Sequence, residues 1–265
     1  MNKQIHHNLM YTIVNNLEKI NAPIAVKGGL LVYASLLQYQ SPIDRATMDI
    51  DMNWINNPPS MEKMRKTLEE AVKLSYPDFT VEIKREYGDH RSAGFQILNA
   101  QKQNVTHVDI DINKKTIPKS YNIDDLSFQG VPIEQVLCDK IKVISSPQIL
   151  RRSKDLIDVY AIKTYIPYDK NELTKLLSET TMNDFSTLKN EKEKIKQGYN
   201  KLRNINNKPD FETIYQDVRN FCLTITNEIR EKRHLERSKQ AENMFSHLTN
   251  STTEKQSEQQ KTPSL

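Results

Sequence analysis

Apolar residues recur at helical spacing over residues 4–20, where Ile5, Leu9, Ile13, Val14, Leu17 and Ile20 share one face. Asn21-Ala22-Pro23 ends that helix, and the apolar run Ile24-Ala25-Val26 reads as a buried strand. Gly28 and Gly29 close the strand, and a helix over Leu30–Leu37 starts directly after them. Alternation predicts a strand over Met48–Trp54, closed by Asn56-Asn57-Pro58-Pro59. Ser60 stands as the N-cap of a helix running to Leu74, with Met64, Leu68, Ala71 and Val72 on its apolar side. Phe79–Tyr87, Gly94–Leu98 and Asn104–Ile112 read as three more strands, largely antiparallel because the turns between them are short. Two helices follow, over Ile133–Ser145 and Ser153–Thr164.

From about residue 168 the strand pattern stops. Asn171–Leu177, Phe185–Leu202 and Phe211–Arg237 are helical by period, with a break at Asn204–Pro209. Residues 247–265 hold Ser, Thr, Gln, Glu and Lys with almost no apolar side chains, a composition that predicts disorder. The order of elements predicts an α+β fold: a mixed sheet with helices over residues 1–167, a helical bundle over 168–246 and a tail over 247–265.

A chain of 265 residues has room for a sizeable core. Its mean hydropathy of −0.70 and the lack of any run of about eighteen apolar residues predict a soluble protein with no membrane partner. The first residues, Met1-Asn-Lys-Gln-Ile-His-His, do not follow the charged-then-apolar order of a secretion signal, so a cytoplasmic location is expected. Cys138 and Cys222, isolated within apolar helical patterns, read as reduced core thiols. The net charge of +4 is too small to indicate nucleic acid by itself. Two basic clusters say more: Lys140, Lys142, Arg151, Arg152 and Lys154, and Lys84, Arg85, His90 and Arg91. Each could face phosphates or be an ordinary solvated surface.

The candidate chemistry starts at residues 27–53. Lys27-Gly28-Gly29 combines a cation with two of the six glycines in the chain. A strand that ends in Gly-Gly at a helix start lets backbone N–H groups approach a phosphate with no Cβ in the way. Asp49 and Asp51, two apart on a strand, project to one face while Met48, Ile50 and Met52 take the other. Two carboxylates so close repel unless a cation lies between them, and Mg²⁺, a hard ion that shares its shell with substrate phosphates, suits the pair. Val108-Asp109-Ile110-Asp111-Ile112 repeats the arrangement on a second strand. If the two strands lie close, three or four carboxylates converge, enough to hold metal at a triphosphate. Lys140 and the pair Asp155 and Asp158, which share a helical face, form a third feature. Its functional reading places Lys140 at triphosphate charge with Asp155 orienting it; its bland reading is acidic residues suited to the helix dipole.

This ordered set, Gly28-Gly29, then Arg45-Ala-Thr47-Met-Asp49-Ile-Asp51, then Val-Asp109-Ile, then Asp139-Lys140, then Arg152-Ser-Lys-Asp155-Leu-Ile-Asp158, resembles the AbiEii-type abortive-infection toxin family. These are the toxins of type IV toxin–antitoxin systems, within the DNA polymerase β-like nucleotidyltransferase superfamily. The resemblance covers roughly residues 20–165 and continues loosely through Tyr199–Tyr215. It implies a polymerase β-like catalytic domain followed by a helical bundle. It implies a metal pair at Asp49 and Asp51, with Asp109 as third metal ligand and Asp111 as its same-face alternative. Asp49, Asp51, Asp109, Lys140 and Asp155 would be catalytic; Lys27, Gly28, Gly29, Arg45, Thr47, Asp111 and Asp158 would bind nucleotide. The implied reaction moves a nucleotide from an NTP to RNA, a tRNA 3′ end foremost, with Mg²⁺ as cofactor and a cognate antitoxin as partner. Transfer to a protein or an aminoglycoside-like small molecule is the alternative acceptor, and a silent nucleotide- or RNA-binding module the alternative class. Two features depart from the wider group: Gly29 stands where many members carry serine, and Cys138-Asp139 precedes the lysine where alanine-glutamate is usual.

Overall fold

Strand β1 (Ile24–Lys27) lies inside a seven-stranded mixed sheet, next to its central strand, and its place there decides where the chemistry can sit. The computed structural model describes residues 3–259 apart from 46, 88–91, 113–115, 124 and 204. His90 and Arg91 of the second basic cluster therefore lie outside the described residues. The other strands of the sheet are β3 (Asp49–Trp54), β4 (Thr80–Arg85), β5 (Ser92–Leu98), β6 (Asn104–Asp111), β7 (Lys119–Ile123) and β8 (Leu126–Gly130). Their spatial order is β4-β5-β6-β3-β1-β8-β7. β3 runs antiparallel to β1 and parallel to β6, while β4, β5 and β6 form the expected antiparallel meander. β1 pairs in parallel with β8, and β7 returns antiparallel beside it.

β7 and β8 are additions to the sequence reading. Both are five residues long, and β7 leaves most of its side chains to solvent, so neither carries the buried alternation that marks a strand. The short antiparallel ladder between β2 (Asp44–Arg45) and β9 (Ile205–Asn206) is a second addition, and it places a strand beyond residue 168. Asn206 Nδ2 donates to Asp44 Oδ2 at 2.7 Å, so the ladder ties the segment that carries Arg45 to the helical part of the chain.

The helices follow their apolar periods. They are α1 (Lys3–Lys19), α2 (Gly28–Gln38), α3 (Met61–Lys73), α4 (Ile133–Ile144), α5 (Lys154–Tyr165), α6 (Lys170–Glu179), α7 (Ser186–Asn190), α8 (Lys192–Asn200) and α9 (Phe211–Gln259). Ser60 caps α3 as its sequence predicts, accepting from Lys63 N at 3.3 Å. The expected helix over Phe185–Leu202 divides at Glu191, whose non-helical backbone (φ −114°, ψ 33°) separates α7 from α8. α2 is apolar all round, and its residues Gly29–Leu36 are buried, because it packs on β1 and β3 with α4 and α5 against it.

By its contacts the chain divides into two compact units, residues 1–219 and 220–265. The first continues through α4 to α8, well past residue 167, where composition changes. In the second, α9 carries its helix to Gln259, over residues whose composition predicts disorder. Glu, Lys and Gln, frequent in that stretch, are strong helix formers, and their propensity favours helix where no core is available. Cys138 and Cys222 are both buried thiols outside any disulfide, as their patterns suggest.

Candidate active site

One row of side chains crosses five strands. The register sets Lys27 of β1 opposite Asp51 of β3, and Asp51 opposite Asp109 of β6. Asp109 in turn faces Gly94 of β5, which faces Arg85 of β4. The parallel pairing of β3 with β6 thus brings the two aspartate strands together as direct neighbours. Asp49, Asp51 and Asn53 share a face with His107, Asp109 and Asp111. On the opposite face Ile50 and Met52 pack with Val108 and Ile110, all fully buried.

The charges along the row are unevenly matched. Lys27 Nζ makes a close ion pair with Asp111. Arg85 Nη2 lies 2.6 Å from Asp109 Oδ1. Asp49 Oδ1 accepts from Thr47 Oγ1 at 3.2 Å and from Met48 N at 3.3 Å. Burial pushes the Asp51 carboxyl above its ordinary value, and the neighbouring Asp49 adds to the rise; Lys27 and Lys140 only partly offset them. Asp51 is therefore the member of the row with the greatest need of a further cation.

The glycine corner is shaped by these side chains. Gly28 has φ +64°, and a Cβ there would collide with the Asp51 carboxylate. Gly29 lies against a different group: a Cβ would stand 2.8 Å from Arg45 Nη1 and 2.8 Å from Thr47 Oγ1. A serine at this position would push into the guanidinium. Both glycines fall within the first turn of α2 rather than before it, and no side-chain cap closes that helix end.

Behind Gly29 lies a buried quartet. Arg45 Nε pairs with Asp158 Oδ1 at 2.7 Å, and Arg45 Nη1 donates to the Gly29 carbonyl at 3.3 Å. Lys140 Nζ bridges Asp155 Oδ1 at 2.6 Å and Asp158 Oδ2 at 2.8 Å. Both aspartates are fully buried, and Arg45 is 2% exposed. Burial alone would raise the Asp158 carboxyl, but Arg45 and Lys140 outweigh it and hold the group below its ordinary value. Burial likewise opposes the charge on Lys140, and Asp158 and Asp155 overcome it, so its ammonium is held above the ordinary lysine value. Of the two residues expected at triphosphate oxygens, Arg45 is engaged by Asp158 and the Gly29 carbonyl, and the Thr47 hydroxyl by Asp49.

A cavity of about 240 Å³ opens between the row and the quartet, with Lys27, Gly28, Asp51, Asp111, Lys140 and Arg152 among its lining residues. Arg152 bridges the regions, its Nε 2.9 Å from Asp155 Oδ2. Arg85 and Gly94 were not singled out as site residues by the sequence. The predicted strand starts at Gly94; the strand itself begins at Ser92 and takes Gly94 into its interior, where glycine often marks a close approach of another group.

Among the described residues no three His, Cys, Asp or Glu side chains form a ready-made metal cage. The donor set nonetheless fits Mg²⁺, which is commonly held by one or two carboxylates together with substrate phosphates. The under-compensated Asp51 beside Asp49 supplies hard oxygen donors at the cavity wall.

A family model described as the nucleotidyl transferase AbiEii toxin of a type IV toxin–antitoxin system matches residues 9–247. The chain belongs to the AbiEii family. As an AbiEii protein it is a nucleotidyltransferase of a toxin–antitoxin family, which makes the silent-module reading unnecessary. Two crystal structures from Helicobacter pylori share its fold. One, described as a nucleotidyltransferase, is 16% identical with a TM-score of 0.54 and covers 86% of this chain and 96% of its own. The other, JHP933, is 17% identical with a TM-score of 0.55 and covers 90% of this chain and 97% of its own. No curated protein sequence matches the chain.

Proposed function

We propose that this AbiEii protein transfers a nucleotide from an NTP to a hydroxyl of RNA, the 3′ end of a tRNA being the acceptor, and that it acts as a growth-arresting toxin in the cytoplasm under control of an antitoxin. The observation that carries the reading is the direct pairing of Asp51, which lines the cavity beside Lys27, with Asp109 of the next strand. Residues 1–167 hold the whole proposed catalytic set.

In this reading the triphosphate lies in the cavity, against Lys27, Arg152 and the first-turn N–H groups of α2 at Gly28 and Gly29. Lys140 adds positive charge from the cavity floor, oriented by Asp155 and Asp158. Asp49 and Asp51 would hold Mg²⁺, with Asp109 as third ligand. Bound there, the ion would neutralise phosphate charge and make an acceptor hydroxyl more acidic. Asp109 accepts the hydroxyl proton, the acceptor oxygen bonds to the α-phosphorus, and the bond to the β-phosphate oxygen breaks to release pyrophosphate.

RNA is favoured by a second cleft, of about 510 Å³, lined by Arg151, Lys194 and Lys201 and by no acidic residue. Arg151 precedes the cavity-lining Arg152 in sequence, so a phosphate backbone leaving the cavity meets further cations. Among the described residues no helix is long and apolar enough to cross a membrane.

The test is incubation of the protein with each of the four α-phosphate-labelled NTPs and total tRNA, with and without Mg²⁺. Label on RNA that requires the metal and disappears in Asp51→Asn is expected. Label on protein or on an aminoglycoside, with none on RNA, overturns the acceptor assignment.

A further inference from the structure

Arg85 reaches Asp109 from two strands away. β5 lies between them, and the residue it presents at the crossing point is Gly94. A Cβ at Gly94 would stand 3.3 Å from Arg85 Cβ, 3.3 Å from Asp109 Oδ1 and 3.4 Å from the guanidinium carbon Cζ. Glycine weakens a strand interior, because it brings no side chain to pack and loses much backbone freedom. At this point it opens a trough through which the arginine crosses. Arg85 is anchored within the trough by Ser92, with Nη2 3.0 Å from Ser92 Oγ and Nε 3.4 Å from its carbonyl. The guanidinium is aimed along the row, at the carboxylate that directly neighbours Asp51.

We propose that Arg85 is a displaceable cation: it holds Asp109 in line before a divalent metal binds, and it yields that carboxylate when the metal enters the row. The proposal rests on the reading of Asp51 and Asp109 as metal ligands. Exposure supports displacement. Arg85 and Asp109 side chains are 44% and 41% exposed, so the pair is weakly held and solvent can take the guanidinium. The buried quartet has no such freedom. Two adjacent carboxylates with no cation would repel across the strand pair, and Arg85 offsets part of that repulsion in the resting protein. In this arrangement Arg85 is a positioning residue that competes with metal.

The experiment is Mn²⁺ titration of the full chain, read by the electron paramagnetic resonance signal of free Mn²⁺. The variants are Arg85→Gln, Asp109→Asn and the two combined, with thermal melts to confirm folding. Arg85→Gln is expected to bind Mn²⁺ about two- to fivefold more tightly, the scale of an exposed ion pair. In the Asp109→Asn background the same substitution is expected to change nothing. Gly94→Ala should move in the direction of Arg85→Gln, because the added methyl crowds the pair. Unchanged or weaker affinity in Arg85→Gln overturns the proposal. So does a gain that persists without Asp109, since that reports only the loss of a positive charge. Asp51-dependent Mn²⁺ binding that ignores Arg85 removes this inference and leaves the metal reading standing; no Asp51-dependent binding at all removes both.

Discussion

Gly28 and Gly29 touch two charged groups that are built in opposite ways. Gly28 abuts Asp51, in a row of carboxylates on the sheet that is open to a cavity and short of positive charge. Gly29 abuts Arg45, in a quartet of two cations and two aspartates that is closed to solvent and charge-balanced. Balance and burial together make a fixed support, since a buried, fully paired ion set has few alternative arrangements. Imbalance at a cavity wall makes a place for a ligand, since the missing charge must come from outside. The two regions share Arg152 and the α2 N-terminus, so the rigid one positions the reactive one.

Removing one member of each region separates these roles. The largest effect is expected from Asp158→Ala, which leaves Arg45 and Lys140 short of a partner in a closed site. Breaking such a buried set costs about 3–5 kcal/mol, and a urea unfolding midpoint should fall accordingly. Lys140→Met should cost less, because Arg45 and Arg152 remain to answer the two aspartates. If Lys140→Met proves the more harmful of the two, the quartet is not balanced as its distances imply. Asp51→Asn should do the reverse of Asp158→Ala. It relieves repulsion from Asp49, so the unfolding midpoint should hold or rise, while labelling of the acceptor falls about 10²- to 10³-fold. A matching fall in stability would place Asp51 with the supports.

The sequence made the sheet side of this comparison more legible than the helical side. Period-two spacing put Asp49 with Asp51 and Asp109 with Asp111 on single faces, and the strands bear that out. Spacing cannot reveal which strands are neighbours, and the parallel β3–β6 pairing needed the structure. The partners of Arg45 were hidden for a similar reason. Its charge suggested phosphate, yet the short β2–β9 ladder, two residues long and with no pattern of its own, turns it inward to Asp158. β7 is largely exposed and β8 is only five residues long, too short for its alternation to stand out. Gly94 was visible as a strand glycine, but its meaning depends on Arg85 crossing from the next strand.

A smaller effect is expected at the corner itself. Gly28→Ala places a side chain at φ +64° and a methyl against Asp51, and the left-handed backbone alone costs roughly 1–2 kcal/mol. The substitution should weaken NTP binding more than it lowers the unfolding midpoint, because the carboxylate must move to admit the methyl. Gly29→Ala, which presses on the supports, should shift that ratio toward stability. Equal ratios for the two variants would mean that the corner does not divide the regions.

The finest test uses pH, because Asp51 and Asp158 are displaced in opposite directions from the same ordinary value of 3.8. Asp158 is held low by Arg45 and Lys140. Its contribution to stability is therefore present above 3.8 and is lost as pH falls through its lower folded value. Asp51 is pushed up by burial and by Asp49, so folding favours its neutral form. That preference is fully present below 3.8 and is lost as pH rises through its higher folded value. Each carboxylate changed to its amide should thus tilt the stability curve in its own direction. Asp158→Asn should lose most at neutral pH and approach wild type in acid. Asp51→Asn should gain relative to wild type as pH rises above the ordinary carboxylate range. The slope of either difference is bounded at about 1.4 kcal/mol per pH unit, the value for one proton. Unfolding midpoints collected from pH 3 upward, without added metal, measure both slopes (the range is set by the carboxylate values near 4). Slopes of the same sign would show that Asp51 is as well compensated as Asp158, and the case for an added cation at the row would fail with it.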